Sequence, residues 1–175
     1  MQKARQLSQG THQQTLWENT PPLIVKCNVN CALFNNNNIT GLGIFFRDSS
    51  EAFLLDFLKY SYFNYTPLEA EALDLFEAIN IAINFHMPSI IFESDCRLLV
   101  DTLNSNSTPN NIFGDIISRC KDLLSSRNNF IVSYVRRQAN RVAHIIARAS
   151  LSHPSPYIFH EVPYTLYALF FNEMN

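Results

Sequence analysis

The chain has 175 residues, 47% hydrophobic and 16% charged, with a net charge of −2. That length and apolar content supply a core large enough to fold without disulfide or metal staples, and the near-neutral balance excludes a uniformly basic nucleic-acid coat, leaving room only for a local patch. Cysteines 27, 31, 96 and 120 form no C-x-x-C pair and no zinc-finger spacing, so they read as reduced, mostly buried thiols.

No run approaches the roughly 18 uninterrupted apolar residues of a membrane span, and the N-terminus lacks the apolar centre of a secretory signal. An intracellular protein, nuclear or cytoplasmic, with no membrane partner is expected. Residues 1–16 are polar, slightly basic and free of acids. They suit a flexible lead-in and are also compatible with a transit peptide.

In residues 23–34 ("LIVKCNVNCALF"), alternation sends Val25, Cys27, Val29, Cys31 and Leu33 to one face and Lys26, Asn28, Asn30 and Ala32 to the other. A polar "NNNN" marks a turn, "ITGLGIFFRD" a second strand, and "SSEAFLLDFLKYSYF" a turn and a third strand. Three strands on short turns predict an antiparallel meander. Pro67 then opens a helix whose stripe is Leu68, Ala72, Leu75, Phe76, Ile79, Ala82, Ile83 and His86, ending before Pro88.

"SIIFESD" (89–95) follows as a buried strand, then helical "CRLLVDTLN", a loop around Pro109 and helical "IFGDIISRCKDLLSS". "NFIVSYVRR" alternates as a strand, and "QANRVAHIIARASL" is the last helix. This order predicts one α/β domain over 17–151, a mixed five-stranded sheet with the meander followed by parallel crossovers, flanked by helices. Residues 152–175, rich in Pro, Tyr and Phe, are expected to form a tail covering the core; uncovered, they would be a self-association surface.

Two acids stand out on this frame. Glu71 falls just outside the apolar stripe in the first helical turn, where it either faces the sheet edge or, like Glu69 on the other border, complements the helix dipole. Asp95 ends a buried strand and opens a helix, the place where α/β sheets present binding groups and also where Asp serves as an N-cap. The polar face carrying Asn30, the start of the first helix and the end of the fourth strand can meet at one edge.

The segment "VRRQANRVAHIIARAS" holds Arg136, Arg137, Arg141 and Arg148 and no acid, which makes it either a phosphate-binding patch or a solvated helix face. Lys26 and Asn28, on the polar strand face, are candidates for sugar or phosphate contacts.

Taken together, "KCNVNCA", "GLGIFFRD", "AEAL", "FESD" and "VRRQANRVAHIIA" resemble the ribonuclease H-like domain of plant proteins related to the terminal part of non-LTR retroelement polyproteins, over about residues 17–151. Members of that family share K-x-N-x-D-G-A, G-x-G-x-x-x-R-D, A-E-A-x-A, E-S-D and N-x-x-A-H or A-D in this order. The resemblance implies a ribonuclease H-like fold and a site made of position 30, Glu71, Asp95 and His144.

In competent relatives the first three positions are carboxylates holding two Mg²⁺, with Mn²⁺ as the alternative, to hydrolyse the RNA strand of an RNA–DNA hybrid. Here the first is Asn30, which keeps the shape and loses the charge on which Mg²⁺ sites rely. Cys31 adds bulk after it. His144 would assist metal turnover or product release, and Asn140 would cap the last helix or organise the edge of the site. The implied metal set is Asn30, Glu71 and Asp95; the nucleic-acid set is Lys26, Asn28, Arg136, Arg137, Asn140 and Arg141.

Three function classes follow. One is a hybrid-specific endoribonuclease weakened by Asn30. Another is an inactive domain that binds hybrid or structured RNA, and a third is a protein-interaction remnant of a retroelement. Salt dependence of hybrid binding separates the last from the others, and metal-dependent cleavage separates the first two.

Overall fold

The computed structural model describes residues 24–162 together with Tyr164 and Tyr167. The expected lead-in over 1–16, Trp17 and most of the tail beyond 162 lie outside the described residues.

β1 (Val25–Phe34), β2 (Ile39–Arg47) and β3 (Phe53–Ser61) form the expected meander. Its register sets Asn30 opposite Gly43 and Phe45 opposite Asp56. β4 (Ile90–Ser94) runs parallel to β1, and β5 (Phe130–Tyr134) runs parallel to β4. The crossovers are made by α1 (Pro67–Asn84), then by α2 (Arg97–Asn104) and α3 (Ile112–Ser125), while α4 (Arg141–Ala149) follows β5 behind a tight turn over Arg137–Asn140.

α1 starts on a complete capping box. Thr66 Oγ1 accepts from the Glu69 N–H, Glu69 Oε2 accepts from the Thr66 N–H, and Pro67 occupies the first helical turn. Glu69 is therefore structural. His86 leaves the predicted stripe: the helix stops at Asn84, and His86 sits exposed in the following turn at φ 52°.

The sheet has a helix layer on each face. Ala72, Leu75, Ile79 and Ala82 of α1 pack with Cys27, Val29, Ile44 and Phe46, and α3 adds Phe113, Ile117 and Cys120. On the other face Val142 and Ile146 of α4 meet Phe45 and Leu58. That second contact is close because β2 is glycine at the crossing point. A Cβ on Gly43 would run into the backbone of Ala147, and one on Gly41 into Ser150 and the Ala147 carbonyl. The G-x-G of the sequence is a seat for α4, and it holds that helix low against β1.

The sheet has a sixth strand, β6 (Tyr157–Phe159), where a tail was expected. It pairs antiparallel with β3 from Asp56 to Leu58, giving the order β5-β4-β1-β2-β3-β6. Three residues between Pro156 and a polar turn are too few to alternate visibly, and proline at a sheet border is tolerated because an edge strand needs no donor on its outer side. Ser155 extends the contact. Its hydroxyl accepts from the Tyr60 N–H at 2.8 Å and donates to the Tyr60 carbonyl at 3.0 Å. No helix among the described residues is long and apolar enough to cross a membrane.

Candidate functional site

Asn28 and Asn30 lie on the face of β1 that α4 covers. Because β1 and β4 run parallel with Val29 beside Ser94, Asp95 emerges next to Asn30. The turn before α4 brings Asn140 to the same point, and His144 follows one helical turn later.

These four side chains form a closed hydrogen-bonded set. Asn30 Nδ2 donates to Asp95 Oδ1 at 2.7 Å. Asn140 Nδ2 donates to the same oxygen at 2.6 Å and to the Val29 carbonyl at 2.8 Å. His144 Nδ1 stands 3.0 Å from Asn30 Oδ1. Neither acid nor amide acts as a helix cap here: the N-cap of α2 is Cys96, and Asn140 makes no side-chain cap bond to α4. Burial pushes the His144 imidazole below its usual range, with Arg137 and Arg148 adding to the shift and Asp95 opposing it.

A second layer lies beneath. Asn28 is 2% exposed and both ends of its amide are engaged. Its Oδ1 accepts from Arg47 Nε at 3.0 Å, and its Nδ2 faces Glu93 Oε2 at 2.9 Å and Asn140 Oδ1 at 3.2 Å. Arg47 also pairs with Glu93 at 2.6 Å and with Glu51. Lys26, toward the opposite end of β1, is held by Glu51 at 2.7 Å.

So the structure gathers Asn30, Asp95, Asn140 and His144 into one set, puts Asn28 underneath it, and keeps Lys26 apart. Arg47 and Glu93 belong to the site's support and were not singled out from the sequence. The signal was available in strand parity, since a parallel β1–β4 pair aligns Asn28 with Glu93.

Glu71 approaches from the other side of β1. Cys31, on the α1 face, donates its thiol to Glu71 Oε1 at 3.4 Å, and Glu71 Oε2 is buried with no hydrogen-bond partner. Burial, then the charge of Asp95, push the Glu71 carboxyl up to about 7, with Cys31 and Arg137 opposing. Burial likewise raises the Cys31 thiol, reinforced by Glu71. One helical turn on, Asp74 is wholly buried and no side chain donates to either of its oxygens. Burial drives its carboxyl well up, Glu71 adds to this, and the nearby backbone of Asn30 and Gly43 offsets it only in part. Arg136, Arg137, Arg141 and Arg148 are all exposed around the α4 edge, and Arg137 is close enough to influence both Glu71 and His144.

Magnesium takes oxygen ligands and draws on carboxylate charge to offset its dehydration. Asn30 turns a nitrogen toward Asp95, while its oxygen is occupied by His144. The Asp95 oxygen between them already accepts two N–H groups, which leaves Glu71 Oε2 as the buried carboxylate oxygen without a partner. In this arrangement the donor set is one carboxylate short of what a pair of Mg²⁺ ions draws on.

The reverse transcriptase-like family model matches residues 28–150, from Asn28 to Ser150 just past α4. The chain belongs to the reverse transcriptase-like family. Solved structures give this reverse transcriptase-like domain its fold: it is similar to RNase H1 of the halophilic archaeon Halobacterium salinarum, with a TM-score of 0.67 and 19% identity over 74% of this chain and 98% of that one. LC11-RNase H1, isolated from compost and solved in complex with an RNA/DNA hybrid, gives 0.62 and 14% over 74% and 96%. A foamy viral protease-reverse transcriptase in complex with RNA/DNA hybrid gives 0.59 and 14%, over 83% of this chain and 23% of that one. No curated protein matches the chain. The domain is an α/β domain of RNase H-like fold.

Proposed function

We propose that this domain binds nucleic acid, with the RNA–DNA hybrid as its substrate class, and that its metal-dependent hydrolysis of the RNA strand is weakened at Asn30. The observation that carries the reading is the Asn30 amide donating to Asp95 at 2.7 Å. A neutral donor stands where the family's pattern has a charged ligand, and the α4 edge that carries His144 also carries exposed arginines. Two of the similar solved structures hold RNA/DNA hybrids. The plant retroelement origin suggested by the motifs belongs to the same reading, as does Mg²⁺ or Mn²⁺ as a weakly held ion.

Within this reading the residues divide their work. Arg136, Arg137 and Arg141 contact phosphates, which positions a duplex without reading its sequence. Asn140 holds Asp95 from below and Asn28 braces Asn140, neither touching the ligand. Lys26, held by Glu51 away from the α4 edge, contributes little.

The test uses purified protein with a labelled hybrid. The parent should bind in the presence of EDTA and cleave slowly or not at all when Mg²⁺ or Mn²⁺ is added. When the three arginines are replaced by Ala, its log–log salt slope should fall by about 0.9 for each phosphate that is no longer neutralised. Asn30→Asp should raise Mg²⁺-dependent cleavage at least about tenfold, which needs only about 1.4 kcal/mol of transition-state stabilisation. A parent that already cleaves at a rate Asn30→Asp does not improve would overturn the reading of Asn30, and absence of hybrid binding would overturn the whole.

A further inference from the structure

The hydrogen bonds of the site have a direction, and it can be followed from groups whose role admits no choice. The Val29 carbonyl only accepts, so the Asn140 amide must turn its nitrogen there and, from the same nitrogen, to Asp95. At the other end Arg47 only donates, so Asn28 must turn its oxygen to the guanidinium and its nitrogen to Glu93 and the Asn140 oxygen. The two anchors agree. Asp95 Oδ1 is then an acceptor facing Asn30 at 2.7 Å, which requires the Asn30 nitrogen on that side and its oxygen toward His144. His144 Nδ1 therefore carries a proton.

A neutral imidazole protonated on Nδ1 leaves Nε2 as an acceptor with no proton to give. Among the described residues the ring's hydrogen bond is made at Nδ1, to Asn30, and the ring is half-buried on α4 with Arg137 and Arg148 close enough to act on it. Beside the Asp95 carboxylate, Nε2 is thus a neutral acceptor with donor-only cations nearby. Phosphate oxygens suit the arginines but cannot use Nε2, because acceptor would face acceptor. The donor that a nucleic-acid backbone carries beside its phosphates is the ribose 2′-hydroxyl, which DNA lacks.

We propose that His144 Nε2 accepts a hydrogen bond from a ribose 2′-hydroxyl, making His144 a residue by which this domain distinguishes a hybrid from duplex DNA. The proposal rests on the nucleic-acid-binding reading above. It assigns His144 to recognition of the RNA strand, through an acceptor set up by a chain of amides that begins at Arg47.

Binding is measured by fluorescence anisotropy in EDTA, with hybrid and duplex DNA of one sequence and with a hybrid whose RNA strand carries 2′-fluoro groups. Fluorine removes the donor and leaves the ribonucleotide geometry. The parent should prefer the hybrid to duplex DNA, and 2′-fluoro substitution should weaken hybrid binding about fivefold, the effect of one net hydrogen bond. His144→Phe should lose the same factor on unmodified hybrid, be indifferent to the 2′-fluoro groups and lose less on duplex DNA than on hybrid. Nitrogen-15 shifts of the parent should place the His144 proton on Nδ1, a readout that needs no variant to fold.

Equal binding of hybrid and duplex DNA by the parent would overturn this inference alone. So would equal losses on both duplexes in His144→Phe, or a proton on Nε2. Failure of the parent to bind either duplex would overturn the inference and the function reading together.

Discussion

The two faces of β1 bury polar groups in opposite ways. Under α4, Asn28, Asn30 and Asn140 are nearly inaccessible, yet each has partners for its amide. Under α1, Asp74 and one oxygen of Glu71 are buried with no side-chain donor. The difference lies in the groups themselves. An amide brings a donor and an acceptor, so several amides can satisfy one another in a closed set, whereas ionised carboxylates bring only acceptors and need donors from elsewhere. On the α1 face the available donors are the Cys31 thiol, a weak one, and the backbone N–H groups of Cys31, Asn30 and Gly43, which offset burial only in part. Protonation is the remaining way to lower the cost, and burial pushes both carboxyls in that direction.

The sharpest way to break this comparison is pH. The Glu71 carboxyl is raised from 4.5 to about 7 in the folded state, so between those values the native state holds a proton that the unfolded state has released. Its contribution is complete below about pH 4.5 and is lost as the pH rises through about 7. The stability lost over that window is on the order of 3 kcal/mol. Urea unfolding across the window should show Glu71→Gln with a markedly flatter pH profile than the parent. An unchanged profile would mean that the carboxyl is solvated.

Mirrored exchanges on the two faces should have opposite signs. Asp74→Asn removes the cost of holding a buried carboxyl out of the ionised form it takes in the unfolded chain and should stabilise the fold at pH 8 by about 2 kcal/mol. In EDTA, Asn30→Asp places a second carboxylate against Asp95 and deletes its donor, and should destabilise by about 2 kcal/mol. Thermal melting of both variants tests the pair. If both move the same way, the faces do not differ as described.

The smallest effect concerns the far anchor of the amide set. Arg47→Lys keeps a charge for Glu93 and Glu51 but has no fork with which to address Asn28 at the same time. A loss of about 1 kcal/mol is expected, together with faster amide-proton exchange of the Asn28 and Asn140 side chains. Loss of stability without that exchange signature would make Arg47 an ordinary ion-pair partner.

Much of this arrangement was legible before any coordinates. The meander, the crossovers and the meeting of Asn30 with Asp95 followed from period-two alternation, from Pro67 and Pro88 bounding a helix, and from the short apolar run ending at Asp95. Less legible were the second partners. Lys26 and Asn28 share a strand face with Asn30, but alternation does not reveal that Glu51 captures one of them or that Arg47 and Glu93 enclose the other. Those contacts depend on the register of β2 and β4 against β1, which only long-range pairing decides. The tight seat of α4 was written in Gly41 and Gly43, although glycine in a strand has other readings, a bulge among them. β6 was hidden by its length.

That short strand also bears on how the molecule keeps to itself. β3 is nine residues long, and without a neighbour its free side would present a row of unpaired backbone groups ready to recruit a strand from another chain. β6 covers the middle of that row and Ser155 satisfies both backbone groups of Tyr60 beyond it, so the border passes from a nine-residue strand to one of three residues. A border that short is a poor template for intermolecular sheet growth.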